Sequence, residues 1–195
     1  LEPSSAASDV YKRQVKSLQF ALKRLGVNAL LTYDTDLIAN ADRVIFPGQG
    51  EAVNAMKKLK KYGLDKLIPK LKQPVLGICL GMQLLCDKTE EGDTTGLGII
   101  SSKVIRFPYS VKAPQMGWNV VSHTNSELFQ DIQQNCYMYL VHSYFVPLEP
   151  ETLAKSNYAG EYSVAIKKNN FYGVQFHPEK SSKAGSQLLK NFLKI

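Results

Sequence analysis

Apolar positions along the chain switch between two spacings, and the switches divide it into alternating elements. Over residues 15–25 apolar side chains recur at helical spacing, with Leu18, Ala21, Leu22 and Leu25 on one side and Gly26 as a stop, which predicts a first helix. Apolar runs at 29–33 and 43–46 predict strands, 51–71 predicts helices, 75–78 a buried strand and 80–87 another helix. Strands and helices in alternation imply a parallel sheet with helices on both faces. The second half changes character, with short strands predicted at 104–107, 118–121, 137–141, 163–167 and 171–176 before a final helix from residue 182. This half reads as antiparallel hairpins packed against the parallel core. With no internal repeat, low-complexity tract or linker, one folded domain is expected.

Chemistry enters where the run Pro74-Val75-Leu76 gives way to a helical pattern. Gly77-Ile78-Cys79-Leu80-Gly81-Met82-Gln83 places one cysteine between two glycines at that junction. A sharp strand-to-helix turn holds a nucleophile in strained backbone geometry, and glycine two residues to either side removes the Cβ atoms that would clash. The orphan N–H groups at a helix start favour a thiolate, and the N–H of Leu80 can face an oxyanion. The same residues would also suit a small buried cysteine, so the partner residues decide.

Of three histidines, His177 ends the alternating run Phe171-Tyr172-Gly173-Val174-Gln175-Phe176 and is followed by Pro178 and Glu179. Proline holds the preceding residue extended, so residues i and i+2 can project to one side. Glu179 could then fix the imidazole tautomer and leave the other nitrogen to take the cysteine proton. His-Pro-Glu alone could be a surface turn; together with the cysteine junction it gives a Cys79, His177, Glu179 triad. His142 reads as structural or interfacial, and His123, without a companion, as surface.

On these residues the chain resembles the class I, triad-type glutamine amidotransferases. The nucleophile run and Gln175-Phe176-His177-Pro178-Glu179-Lys180-Ser181-Ser182 carry the resemblance. Pro114-Gln115-Met116-Gly117-Trp118-Asn119 and Val141-His142-Ser143-Tyr144-Phe145-Val146-Pro147 narrow it to the glutaminase subunits of imidazole glycerol phosphate synthase, and Pro47-Gly48-Gln49-Gly50 resembles the oxyanion loop of that group. The resemblance implies an α/β fold, a flavodoxin-like doubly wound and mostly parallel sheet with additional antiparallel hairpins. It implies glutamine hydrolysis, with Cys79 attacking, His177 and Glu179 completing the triad, and an oxyanion hole from Leu80 and the Gly48-Gln49-Gly50 loop. Glutamine would be held by Gln83 and by the backbone around Ser143 and Tyr144, with no metal or cofactor. It further implies a heterodimer with a (β/α)8-barrel cyclase subunit that takes up the ammonia, contacted by Met116, Trp118 and Tyr139. Hydrolysis would be switched on from the cyclase through the 47–50 loop. For Trp118 the residues alone leave a core position equally open. Other readings are the glutaminase of a different amidotransferase of this class, or an inactive truncated copy.

The resemblance starts at about Val15. Relatives open with a short apolar strand, whereas residues 1–14 are small, polar and without strand periodicity. They are expected to be a foreign or disordered segment standing in place of that strand, with the glutaminase domain at 15–195; a structure pairing residues 5–14 as an inner strand would overturn this. No signal peptide is expected.

Composition alters little. At 195 residues, 44% hydrophobic and 21% charged, the chain suits one well-buried domain. No apolar run reaches membrane-spanning length. Three cysteines without metal-ligand spacing, Cys79, Cys86 and Cys136, point to reduced thiols and a cytoplasmic setting, with Cys86 in the core. The net charge of +7 comes largely from lysines at helical spacing between Lys57 and Lys72, a solvated amphipathic face rather than a nucleic-acid surface.

Overall fold

The computed structural model describes residues 5–48 and 50–195, with side chains from residue 15 onward. They form two compact units, divided between Leu31 and Thr32.

The first unit is dominated by α1 (Ser5–Arg24). Residues 5–14 therefore continue the predicted helix and pair with no strand, while residues 1–4 lie outside the described residues. The helix ends as its sequence dictates. Gly26 takes φ 84°, which lets the Gly26 and Val27 N–H groups reach the carbonyls of Lys23 and Leu22 at 3.0 Å each. The strand expected at 29–33 does not form. A strand needs a ladder partner, and no described strand pairs there. The Ala29 carbonyl instead accepts from Gln19 Nε2 at 3.2 Å, and Leu30 is 72% exposed.

In the second unit the elements follow in the order α2 (Thr35–Ala39), β1 (Val44–Pro47), α3 (Ala52–Lys61), α4 (Leu64–Leu67), β2 (Val75–Ile78), α5 (Leu80–Leu84), β3 (Cys86–Thr89), β4 (Thr94–Thr95) and β5 (Ile100–Arg106). There follow β6 (Gln115–His123), β7 (Cys136–His142), β8 (Tyr144–Phe145), β9 (Thr152–Asn157), β10 (Glu161–Lys168), β11 (Phe171–Val174) and α6 (Ser182–Phe192). Seven strands form one mixed sheet in the order β1-β2-β11-β10-β9-β6-β7. Parallel pairing joins β1 to β2 and β2 to β11, and the expected antiparallel hairpins supply the rest. A four-stranded sheet, β4-β3-β5-β8, lies apart from it in pairing.

β2 sits between β1 and β11, and all four of its residues are buried, as an uninterrupted apolar run requires. The helices predicted over 51–71 form as α3 and α4, divided at Gly63 with φ 69°, and Pro69 lies in the 3-10 turn that follows. α3 buries Ala52, Met56 and Leu59, spaced by four and three residues, and leaves Lys57, Lys58, Lys60 and Lys61 exposed. This is the solvated basic face expected from the sequence. α5 stops at Leu84, earlier than the pattern suggests, because Cys86–Thr89 is drawn into pairing with β5. Cys86 is fully buried, and burial pushes its thiol up to about 12.

Candidate active site

Cys79 stands at the turn from β2 into α5 with φ 54° and ψ −112°, a region that non-glycine residues avoid. Strain of this kind costs on the order of 1–3 kcal/mol and persists only where the surroundings enforce it. Here the Cys79 N–H is held by the Val174 carbonyl of β11 at 2.7 Å. Glycine is obligatory beside it. A Cβ on Gly81 would lie 2.0 Å from the Phe46 carbonyl oxygen, and one on Gly48 would lie 1.9 Å from the Gly81 nitrogen. The loop after β1 thus rests directly on the first turn of α5. Leu80 is the first residue of that helix, where an N–H has no acceptor within the helix.

The Gly48 N–H donates to the Ile78 carbonyl at 3.0 Å and is already committed. Of the other residues expected to line the oxyanion hole, Gln49 lies outside the described residues and Gly50 adopts φ 76°.

His177 Nδ1 lies 2.9 Å from Glu179 Oε1, with both side chains almost wholly buried. A nitrogen facing a carboxylate carries the proton, which leaves Nε2 for the cysteine. Burial opposes a positive charge on His177, but the hydrogen bond and attraction to Cys79, followed by those to Glu179, outweigh it and raise the imidazole to about 10. Glu179 Oε2 is buried without a protein partner. The segment is fastened to β7: the His177 N–H donates to the Tyr139 carbonyl at 2.9 Å, and Ser181 Oγ accepts from the Tyr139 N–H at 3.0 Å and donates to the His177 carbonyl at 2.7 Å.

Gln83 is buried one turn into α5. Its Nε2 donates to the Tyr144 carbonyl at 2.8 Å and to Gln175 Oε1 at 2.9 Å. The Ser143 carbonyl accepts from the Phe107 N–H at 3.0 Å, so both backbone carbonyls expected near glutamine already have protein partners. Cys79 Sγ is 3.7 Å from the Val141 carbonyl and 3.6 Å from Gln175 Nε2. Sequence reasoning assigned Gln175 no role. Its signal was a lone amide inside an apolar run, two residues before the histidine.

His142 is not a base. Its Nδ1 donates to the Tyr144 carbonyl at 2.8 Å, and burial lowers its pKa to about 4, so it is neutral. His123, expected to lack a companion, stacks on Phe129 with ring centres 4.6 Å apart.

Register places Met116 opposite Val141, Trp118 opposite Tyr139 and Val120 opposite Tyr137 on the β6/β7 hairpin. Alternation puts these six side chains on one face. Met116 is 66%, Trp118 51% and Tyr137 60% exposed, while Tyr139 is half-buried against Trp118. The core position left open for Trp118 is thereby ruled out. Tyr137 was missed because nothing in an isolated strand tells which face stays uncovered. Among the described residues no cluster suits a metal ion, and no helix is long and apolar enough to cross a membrane.

The sequence family described as glutamine amidotransferase class-I matches residues 6–195. An imidazole glycerol phosphate synthase subunit HisH from Bacteroides fragilis is 48% identical over 184 residues, covering 93% of this chain and 94% of its own. The protein of the same name from Haemophilus influenzae is 49% identical over 181 residues, covering 92% and 91%. Among solved structures, a glutamine amidotransferase aligns with TM-score 0.72 at 19% identity, covering 92% of each chain. A putative GMP synthase component from Thermoplasma acidophilum aligns with TM-score 0.70 at 21% identity, covering 91% of this chain and 85% of its own; both establish shared fold. A match that runs from residue 6 to residue 195 makes this chain a member of the class I glutamine amidotransferase family.

Proposed function

We propose that this protein is the glutaminase subunit of an imidazole glycerol phosphate synthase, acting in histidine biosynthesis. The observation that carries the reading is Cys79 in a strained elbow beside His177, itself held by Glu179, in a chain that shares 48% of aligned residues with a relative named as a subunit of that synthase.

The chemistry follows from the groups present. The Cys79 sulfur attacks the side-chain amide carbon of glutamine, and the carbonyl oxygen takes up negative charge. The N–H of Leu80 and an N–H from the 48–50 loop stabilise that oxygen. Because the Gly48 N–H is bound to Ile78, the loop donor must come from Gln49 or Gly50. A change in the Pro47–Gly50 loop on partner binding would present it, which makes the loop a switch. His177 delivers its proton to the departing ammonia, leaving a γ-glutamyl thioester. Water then gives a proton back to His177, attacks the thioester and releases glutamate and the thiol. Gln83 and the backbone near Ser143 and Tyr144 hold the substrate.

The ammonia requires a covered exit, and the β6/β7 face with exposed Met116 and Trp118 beside half-buried Tyr139 supports docking of a (β/α)8-barrel cyclase subunit in a heterodimer. We place the glutaminase domain at 15–195 and the protein in the cytoplasm.

The test is glutamate release from glutamine by the purified chain, alone and with a cyclase partner plus its nucleotide substrate. Release that depends on the cyclase is expected. Release equal in its absence would remove the switch, and no release in either case, with Cys79 also inert to a glutamine chloroketone, would overturn the reading.

A further inference from the structure

The Gln175 side chain is fully buried, and a buried carboxamide is costly unless both its ends are bonded. Proton counting fixes which end faces which neighbour. The Tyr144 carbonyl can only accept, so the Gln83 atom 2.8 Å from it is the amide nitrogen. That nitrogen also lies 2.9 Å from Gln175, so the Gln175 atom facing it is the oxygen. The Gln175 atom 3.6 Å from Cys79 Sγ is then the amide nitrogen, a donor aimed at sulfur. The other group at the sulfur, the Val141 carbonyl at 3.7 Å, can only accept. The two contacts serve different forms of the nucleophile. Val141 suits a thiol donating its S–H, and Gln175 suits the thiolate that attacks.

We propose that Gln175 is a positioning residue of the glutaminase reaction, holding the Cys79 sulfur with its amide nitrogen and the Gln83 carboxamide with its oxygen, so that nucleophile and substrate-binding amide are set relative to each other. Its own position is rigid: its backbone N–H donates to the Val164 carbonyl of β10 at 2.9 Å, and the preceding Val174 carbonyl holds the Cys79 N–H at 2.7 Å. The end of β11 and the residue that follows it therefore fix the nucleophile through both main chain and side chain, just before the triad histidine. The inference rests on Cys79 as nucleophile and Gln83 as a glutamine-binding group.

The test compares the parent with Gln175→Met, which keeps length and loses both contacts, and Gln175→Glu, which keeps an oxygen for Gln83 but presents no N–H to sulfur. Iodoacetamide alkylation of Cys79 is followed by peptide mass spectrometry, with the half-buried Cys136 of the same molecule as reference, and kcat and KM for glutamine are measured with the cyclase present. Both variants are expected to lose about tenfold in kcat, the scale of one hydrogen bond to an anion, and to slow at Cys79 while Cys136 is unchanged. KM is expected to rise in Gln175→Met and to stay within about twofold in Gln175→Glu, as uniform binding arguments require. Parental kcat and Cys79 reactivity in both variants would overturn the proposal. So would parallel changes at Cys79 and Cys136, which would make Gln175 a packing residue. A parent Cys79 no more reactive than Cys136 would instead overturn the nucleophile reading, and this one with it.

Discussion

His177 and Glu179 are two residues apart in sequence and meet side chain to side chain, Nδ1 to Oε1 at 2.9 Å, in a setting that excludes most solvent. The proline between them makes this possible. It opens a single 3-10 turn at Pro178–Lys180, which leaves His177 extended at φ −97° and ψ 97° and turns Glu179 back beneath the ring. Both the proton affinity of the imidazole and its orientation depend on that turn.

Glu179→Gln keeps the shape and removes the charge. The imidazole loses one of the two partners that raise it to about 10, so its pKa should fall, and kcat should drop by roughly 10²- to 10⁴-fold, the range for loss of general acid–base function. Because the first favourable influence on His177 is Cys79, Cys79→Ser should lower the imidazole pKa as well. Proton NMR of the His177 ring across pH 6–11 reads both changes. The sign for stability follows. A folded pKa above the ordinary 6.5 stabilises fully below that pH, and the contribution is lost as pH rises toward about 10. The parent should therefore lose denaturation midpoint between these values more steeply than Glu179→Gln.

The elbow stores strain that has no use except to present sulfur. Cys79→Ala keeps a Cβ at φ 54°, whereas Cys79→Gly removes it. Relief of about 1–3 kcal/mol should exceed the extra chain entropy of glycine, about 0.5–1 kcal/mol. Urea unfolding should find Cys79→Gly the more stable of two inactive variants. Equal or lower stability of the glycine form would show that the backbone is not strained.

These local features were legible in the sequence because each is enforced by neighbours along the chain. Gly77, Cys79 and Gly81 share one turn, and His177 and Glu179 share another. The buried strand at 75–78 was equally plain from its apolar run. What could not be read depends on pairing between distant segments. The apolar run at 29–33 has the composition of a strand, yet no described strand pairs with it. Cys86 continues a helical pattern but joins β3 because β5 lies beside it. The contacts of Gln175 arise only when folding brings Gln83 and Cys79 against it.

Close packing of Gly48 on the first turn of α5 separates three glycines that look alike in sequence. An added methyl at Gly48 or Gly81 would meet backbone at 1.9 or 2.0 Å, so Gly48→Ala and Gly81→Ala should each destabilise by at least the ~1–3 kcal/mol typical of overpacking and should abolish chloroketone labelling of Cys79. Gly50 has open space around it and only its φ of 76° to lose. Gly50→Ala should cost about 1–2 kcal/mol, leave labelling of Cys79 intact and reduce cyclase-dependent turnover by stiffening the loop. Unchanged turnover in a folded Gly50→Ala protein would locate the switch elsewhere.

The β6/β7 face makes the most demanding prediction, since it must fail in binding without failing in folding. Trp118 and Tyr137 lie two strand positions apart across the hairpin, each more than half exposed, and leaving such rings in water stabilises nothing in the isolated chain. Their truncation removes little buried area from the isolated chain, so Trp118→Ala and Tyr137→Ala should leave its melting temperature within about 2 °C, as surface changes do. On the proposed docking of a cyclase to this face, the same rings are its anchors. Loss of a central aromatic anchor costs at least 2 kcal/mol, so the dissociation constant measured by calorimetry should rise about 30-fold or more for Trp118→Ala. Tyr139 offers the contrasting case. Its ring packs on Trp118, while its backbone holds both the His177 N–H and Ser181 Oγ. Tyr139→Ala keeps those backbone bonds, so it should weaken binding while preserving chloroketone labelling of Cys79 in the free chain. If labelling is lost instead, the ring rather than the main chain holds the histidine segment in place.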